Sequence, residues 1–128
     1  MPTDAKALVL EFCQAFTNGA TPAQLVEYFT EDAVYHNIPV EPAVGHEAIL
    51  GLLNMFLTPV ERVEFRVLNI VADGDTVLTE RVDAFFLPNA TIELPVMGTF
   101  EVRDGKIAAW RDYFDVNQFM SQMAPAEG

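Results

Sequence analysis

The sequence predicts a single α+β domain over residues 1–128, with three N-terminal helices packed on a curved, mixed but mostly antiparallel sheet that forms a cone around an internal pocket. Two observations carry that expectation. Apolar residues recur at helical spacing as far as residue 56 and alternate with a period of two from about residue 63. Asp73-Gly74 and Asp104-Gly105 then punctuate the second half as tight hairpin turns, which sets neighbouring strands antiparallel. At 128 residues the chain is long enough to bury a core without staples, and no internal repeat or low-complexity stretch interrupts it.

Each element has its own signal. Over residues 4–17, Leu8, Phe12 and Phe16 fall on one helical face with Val9 and Cys13 beside them, between a polar Thr3-Asp4 start and Asn18-Gly19. Thr21-Pro22-Ala23-Gln24 combines a capping hydroxyl, a proline at the first helical position and a Gln three residues after the cap, so a second, shorter helix follows through Leu25, Val26, Tyr28 and Phe29. Residues 33–37 read as a short strand, and Pro39 and Pro42 keep residues 38–44 an extended loop. A third helix over residues 45–56 presents Ile49, Leu52, Leu53 and Phe56. Four strands are then expected near residues 63–71, 76–87, 92–102 and 107–115. The tail from residue 117 begins as a helical turn through Phe119 and Met120 and frays at Ala124-Pro125.

Composition excludes several functional classes. Seven Lys+Arg against 19 Asp+Glu give a formal charge of −12, which repels phosphate backbones and acidic membrane surfaces, so neither nucleic acid nor a membrane is an expected partner. Hydrophobic residues make up 51% and charged residues 20%, too apolar for disorder, while the apolar runs stop far short of the roughly 20 residues of a membrane span. The start, MPTDAK, lacks the basic and apolar stretches of a signal peptide, and the single Cys13 forms no internal disulfide, so the expected compartment is the cytoplasm. His36, His46 and Cys13 have no metal-ligand spacing, and neither a phosphate-binding glycine loop nor a Gly-x-Ser-x-Gly elbow is present. No metal and no cofactor is expected. Cys13 reads as inert core and His46 as a solvated residue at a helix start.

The polar residues that break the pattern point to chemistry. Alternation places Val77, Thr79, Arg81, Asp83 and Phe85 on one face of a strand, and Leu78, Glu80, Val82, Ala84 and Phe86 on the other. In the last strand Trp110, Asp112 and Phe114 share a face opposite Ile107, Arg111 and Tyr113. A carboxylate flanked by Trp and Phe faces an apolar interior, where its charge is costly unless paired. Arg81 can donate to two carboxylates at once, so an Asp83–Arg81–Asp112 bridge follows in which the two acids share a proton unequally. One acid could then give a proton and the other take one. A buried structural ion-pair network, or a solvated face of a two-sided sheet, satisfies the same pattern. Tyr35 and Asn37 lie two apart on the short strand with His36 opposite, and a phenol and an amide together can fix a water.

The segments EDAVYHNIP at 31–39, TERVD at 79–83 and GTFEVRDGKIAAWRDYFD at 98–115 resemble those of the limonene-1,2-epoxide hydrolase family, within the nuclear-transport-factor-2-like and SnoaL-like cone folds. The likeness runs along nearly the whole chain, although the longer N-terminal extension of some relatives is not expected here. It implies a catalytic set of Asp83, Arg81 and Asp112, with Tyr35 and Asn37 positioning water, and it selects Asp112 over Asp115. It also implies an epoxide hydrolase that converts a hydrophobic, terpene-like or cyclic epoxide and water to a vicinal diol without a covalent intermediate, in a homodimer.

Opening an epoxide needs an activated water and a proton for the departing oxygen, and a paired base and acid supplies both. Asp112 is the expected base and Asp83 the expected acid, with Arg81 orienting both. Met55, Phe56, Leu68, Leu78, Phe85, Leu94 and Met97 are candidates for an apolar pocket wall. An isomerase of the ketosteroid type is disfavoured, because Asn37 stands where that chemistry resembles a need for a carboxylate. A SnoaL-like cyclase would use Asp112 but leave Arg81 unexplained, and a non-catalytic binding module remains the alternative from another class.

Overall fold

In a computed structural model, which describes residues 4–123, six strands run in the order β2-β1-β6-β5-β4-β3. The elements along the chain are α1 (Ala5–Thr17), α2 (Pro22–Val26), β1 (Phe29–Asn37), β2 (Ala43–Val44), α3 (Gly45–Leu57), β3 (Arg62–Asp73), β4 (Thr76–Phe86), β5 (Thr91–Arg103), β6 (Lys106–Tyr113) and α4 (Val116–Met123). Only β1 and β6 pair in parallel; the other neighbours are antiparallel. The expected mixed, mostly antiparallel sheet under three N-terminal helices is therefore what forms.

Local chemistry explains the helices. Asp4 caps α1, accepting a hydrogen bond from the Lys6 amide, and the face carrying Leu8, Val9, Phe12, Cys13 and Phe16 is buried. Thr21 and Gln24 close a reciprocal capping box around α2 with Pro22 at its first position. Both Asp104 (φ 53°) and Gly105 (φ 75°) are left-handed, the backbone a two-residue primed hairpin turn requires. α1 lies against β3, α3 against β1, and α4 against β5, so the helices line the concave side. Phe12 sits at the centre of that core, edge-on to Trp110 at 5.0 Å and to Phe29 at 5.4 Å.

Several details differ from the sequence reading. β1 begins at Phe29, so α2 is a single short turn and the first strand runs nine residues; Ala43 and Val44 inside the expected loop pair with β1 as β2. Ile107 and Trp110 are both buried although strict alternation separates them. The reason is a β-bulge: two residues of β6 advance from Ile107 to Ala109 while β5 advances one, from Val102 to Glu101, and this resets the faces. α4 extends the expected turn at Phe119 and Met120, whereas the expected fraying at Ala124-Pro125 lies outside the described residues. Among the described residues no helix is long and apolar enough to cross a membrane.

Candidate active site

Sheet register assembles the polar residues in one row. Asn37 on β1 pairs with Asp112 on β6, Asp112 with Gly98 on β5, and Gly98 with Thr79 on β4. The row beside it carries Tyr35, Trp110, Phe100 and Val77. Arg81 and Asp83 continue the inward face of β4, as alternation predicts. Gly98 supplies the missing piece of this geometry. A Cβ there would lie 2.4 Å from Arg81 Nη1, 2.6 Å from Asp112 Oδ1 and 2.9 Å from Thr79 Oγ1. The absent side chain is the gap across which the β4 guanidinium reaches the β6 carboxylate.

Arg81 is almost completely buried, at 1% exposure, and bridges both acids. Its Nε and Nη2 donate to Asp83 Oδ1 and Oδ2 at 2.9 and 2.8 Å, and its Nη2 and Nη1 donate to Asp112 Oδ2 and Oδ1 at 2.7 and 3.2 Å. Nη1 also donates to Thr79 Oγ1 at 3.0 Å. The cation rests over the Phe65 ring, 4.9 Å from its centroid. The two carboxylates are not equivalent. Asp112 Oδ1 receives a further hydrogen bond from Trp110 Nε1 at 2.7 Å, while Asp83 is served by Arg81 alone.

That asymmetry is built into aromatic packing. The indole of Trp110 is stacked between Tyr35, at 4.1 Å and 6°, and Phe100, at 5.3 Å and 16°, so its N–H is aimed with little freedom. Among the described residues no buried side-chain polar atom lacks a hydrogen-bond partner. Burial pushes the Asp83 carboxyl up to about 6; Arg81 pulls it down, by charge and by hydrogen bonding, and the neighbouring Asp112 adds to the rise. Burial lowers Arg81, but the two carboxylates more than offset it and hold its pKa well above the ordinary value. The Tyr35 phenol is raised by burial first and by Asp112 second, partly countered by its hydrogen bond to Asn37, so it keeps its proton near neutrality.

A cavity of about 280 Å³ opens onto this floor. Its polar lining is Tyr35, Asn37, Asp83 and Asp112; the rest is apolar, from Val40 after β1, Leu52 and Phe56 of α3, Phe65 of β3, Phe85, Leu94 and Val96 of the sheet, Phe114, and Val116, Phe119 and Met120 of α4. Thus all five residues singled out in the sequence come together, four on the cavity surface and Arg81 behind the two acids. Of the expected wall, Phe56, Phe85 and Leu94 line the cavity. Met55, Leu68, Leu78 and Met97 do not: all four are exposed, Leu78 and Met97 on the outer face of the sheet and Leu68 at a bulge in β3. His46 is half-buried, its Nε2 2.8 Å from the Phe29 carbonyl, so it ties the start of α3 to β1 instead of facing solvent. Cys13 is buried core, its thiol pushed up to about 12 chiefly by burial.

Sequence reasoning missed the roles of Thr79, Gly98 and the Trp110 N–H. Thr79 was legible as a small polar residue sharing a face with Arg81 and Asp83, and Gly98 as an isolated glycine within a strand, which signals close approach of another group.

Comparison with known proteins identifies the family. Residues 3–125 match the family of limonene-1,2-epoxide hydrolase catalytic domains. The epoxide hydrolase EphG of Mycobacterium tuberculosis is 41% identical over 86 residues, 67% of this chain; the match spans 57% of that relative's length. The solved structure of an M. tuberculosis epoxide hydrolase described as LEH-like superposes with a TM-score of 0.81 at 34% identity, covering 94% of this chain and 90% of that one. A structure described as a SnoaL-like polyketide cyclase from Shewanella denitrificans has a TM-score of 0.83 at 17% identity over 93% of this chain and 96% of its own, a likeness of fold alone. With the match extending over nearly every residue, the chain belongs to the limonene-1,2-epoxide hydrolase catalytic-domain family.

Proposed function

We propose that the protein is an epoxide hydrolase that opens a hydrophobic, cyclic or terpene-like epoxide to a vicinal diol in one step. The observation that carries this reading is Arg81 clamped between two buried carboxylates at the floor of an otherwise apolar cavity. In the proposed reaction a water held by Tyr35 and Asn37 gives a proton to Asp112 and attacks a ring carbon. The carbon–oxygen bond of the ring breaks, and Asp83 protonates the released oxygen. The raised Asp83 carboxyl supports its part as the acid, and the three N–H donors converging on Asp112 support its part as the acceptor. Passage of the proton from Asp112 to Asp83 restores the starting state, so no covalent ester and no metal takes part.

Turnover of an epoxide panel in ¹⁸O-labelled water, followed by mass spectrometry of diol and protein, tests this. Label is expected in the diol in the first turnover and never in the protein, and the folded Asp112→Asn protein is expected to turn over about 10² to 10⁴ times more slowly. Equal inertness of both folded proteins would favour a binding module. The protein is further proposed to act as a homodimer. Exposed Val71, Leu78, Met97 and Tyr113 on neighbouring strands of the outer sheet face support this, and sedimentation equilibrium tests it.

A further inference from the structure

We infer that Gln122 is a specificity-determining positioning residue, a two-point clip that fastens α4 to the free edge of β5 and so fixes the width of the substrate cavity. The inference rests on the proposed hydrolase reading, because its principal readout is selectivity among epoxides. Its basis is a gap in the sheet. β6 pairs with β5 only from Met97 to Arg103, so the first half of β5 has no strand on that side. There the Gln122 side chain replaces the missing neighbour: the Glu93 amide donates to Gln122 Oε1 at 2.8 Å, and Gln122 Nε2 donates to the Glu93 carbonyl at 2.9 Å. An amide side chain is suited to this, carrying one donor and one acceptor as a peptide group does. Nε2 also reaches the Gln118 carbonyl at 3.1 Å, which holds the side chain in place on its own helix.

The clip matters because of what α4 carries. Val116, Phe119 and Met120 form one wall of the cavity, with Phe119 edge-on to Phe85 at 6.2 Å. Met120, Val116 and Val40 are the exposed members of the lining and mark its mouth. At its other end α4 follows β6 directly, capped by Asp115, whose carboxylate accepts from the Asn117 amide at 2.9 Å. The helix is thus attached at its start to the strand that holds Asp112 and at its end to the sheet edge through Gln122. The cavity volume of about 280 Å³ sits at the lower limit for small-molecule pockets. With the clip closed the site takes compact epoxides; with it open, the wall can move out for longer or branched ones.

The test compares wild type with Gln122→Ala and with Gln122→Met, which keeps the length and volume but makes neither hydrogen bond. Epoxides of graded size are assayed for kcat and KM, and amide hydrogen exchange of residues 116–122 is followed in parallel. Loss of both hydrogen bonds to Glu93 is expected to shift the bulky-to-compact ratio of kcat/KM by about 3- to 30-fold in both variants, mostly through KM, and to speed exchange in α4 by a similar factor. Exchange in β4 and β6 and the pH profile on the compact substrate are expected to stay as in wild type. An unchanged size ratio overturns the inference, whether or not α4 exchanges faster. If wild type turns over no epoxide, the hydrolase reading fails. The clip is then judged by the relative affinity for a compact and a bulky apolar fluorescent probe, and an unchanged affinity ratio overturns it.

Discussion

At the floor of the cavity Arg81 makes five hydrogen bonds to side chains that are all buried, whereas the far end of α4 is hydrogen-bonded to the sheet through the amide of Gln122. The two regions lie in one cavity but answer different physical demands. A charge removed from water must be fully paired, because one missing partner leaves an uncompensated ion. An apolar wall has no such requirement and can be held loosely, which lets substrate enter. Changes at the floor should therefore cost both stability and chemistry, and changes at the mouth should alter selectivity with little effect on folding.

The sharpest contrast comes from Arg81→Met. Removing the shared cation from two buried acids is expected to destabilise the fold by about 3–5 kcal/mol, measured by chemical denaturation, and to abolish turnover. A folded, active Arg81→Met protein would break the distinction. Asp83→Asn and Asp112→Asn keep the shape and are each expected to reduce kcat by about 10² to 10⁴, measured at saturating substrate. Gly98→Ala tests the gap through which the guanidinium crosses. Its methyl group meets three tightly held polar atoms, so a loss of about 1–3 kcal/mol is expected in thermal or denaturant unfolding, together with reduced turnover.

Much of the floor was legible in the sequence because alternation is a strict geometric rule. Arg81 and Asp83 had to share a face, and Asp112 between Trp110 and Phe114 had to point inward with Trp110. What alternation could not show was where it is interrupted. The bulge around Ala108 buries Ile107 beside Trp110, and the one at Leu68 puts an apolar side chain into solvent. Such interruptions depend on how neighbouring strands fit, which one strand's pattern does not record. The mouth was less legible for the same reason. Gln122 is an ordinary polar helix residue until the sheet leaves the Glu93 backbone unpaired beside it, and β2 is two residues that become a strand only by pairing with β1.

The pH dependence sharpens the comparison at smaller amplitude. Asp83 is raised from 3.8 in its reference state to about 6 in the fold, so folding binds a proton between those values. Its contribution to stability is greatest below about pH 4 and is lost as pH rises through about 6. As the proposed acid it must be protonated, so kcat/KM is expected to fall as pH rises past about 6, measured across a buffer series. The smallest effect is expected at the mouth. Met120→Ala, at an exposed position on the cavity rim, should change stability by no more than about 0.5 kcal/mol while shifting preference toward larger epoxides, read from competition between substrates.

The central claim is that burial, against the pull of Arg81, leaves Asp83 holding a proton well above the normal carboxylic range, while the Trp110 N–H serves Asp112 alone. Carboxyl ¹³C NMR of aspartate-labelled protein, with Asp83→Asn to assign the resonance, measures this directly. A signal for Asp83 that titrates near pH 6 is the expected result. An Asp83 carboxyl that titrates at or below the ordinary aspartate value of about 3.9 would contradict it.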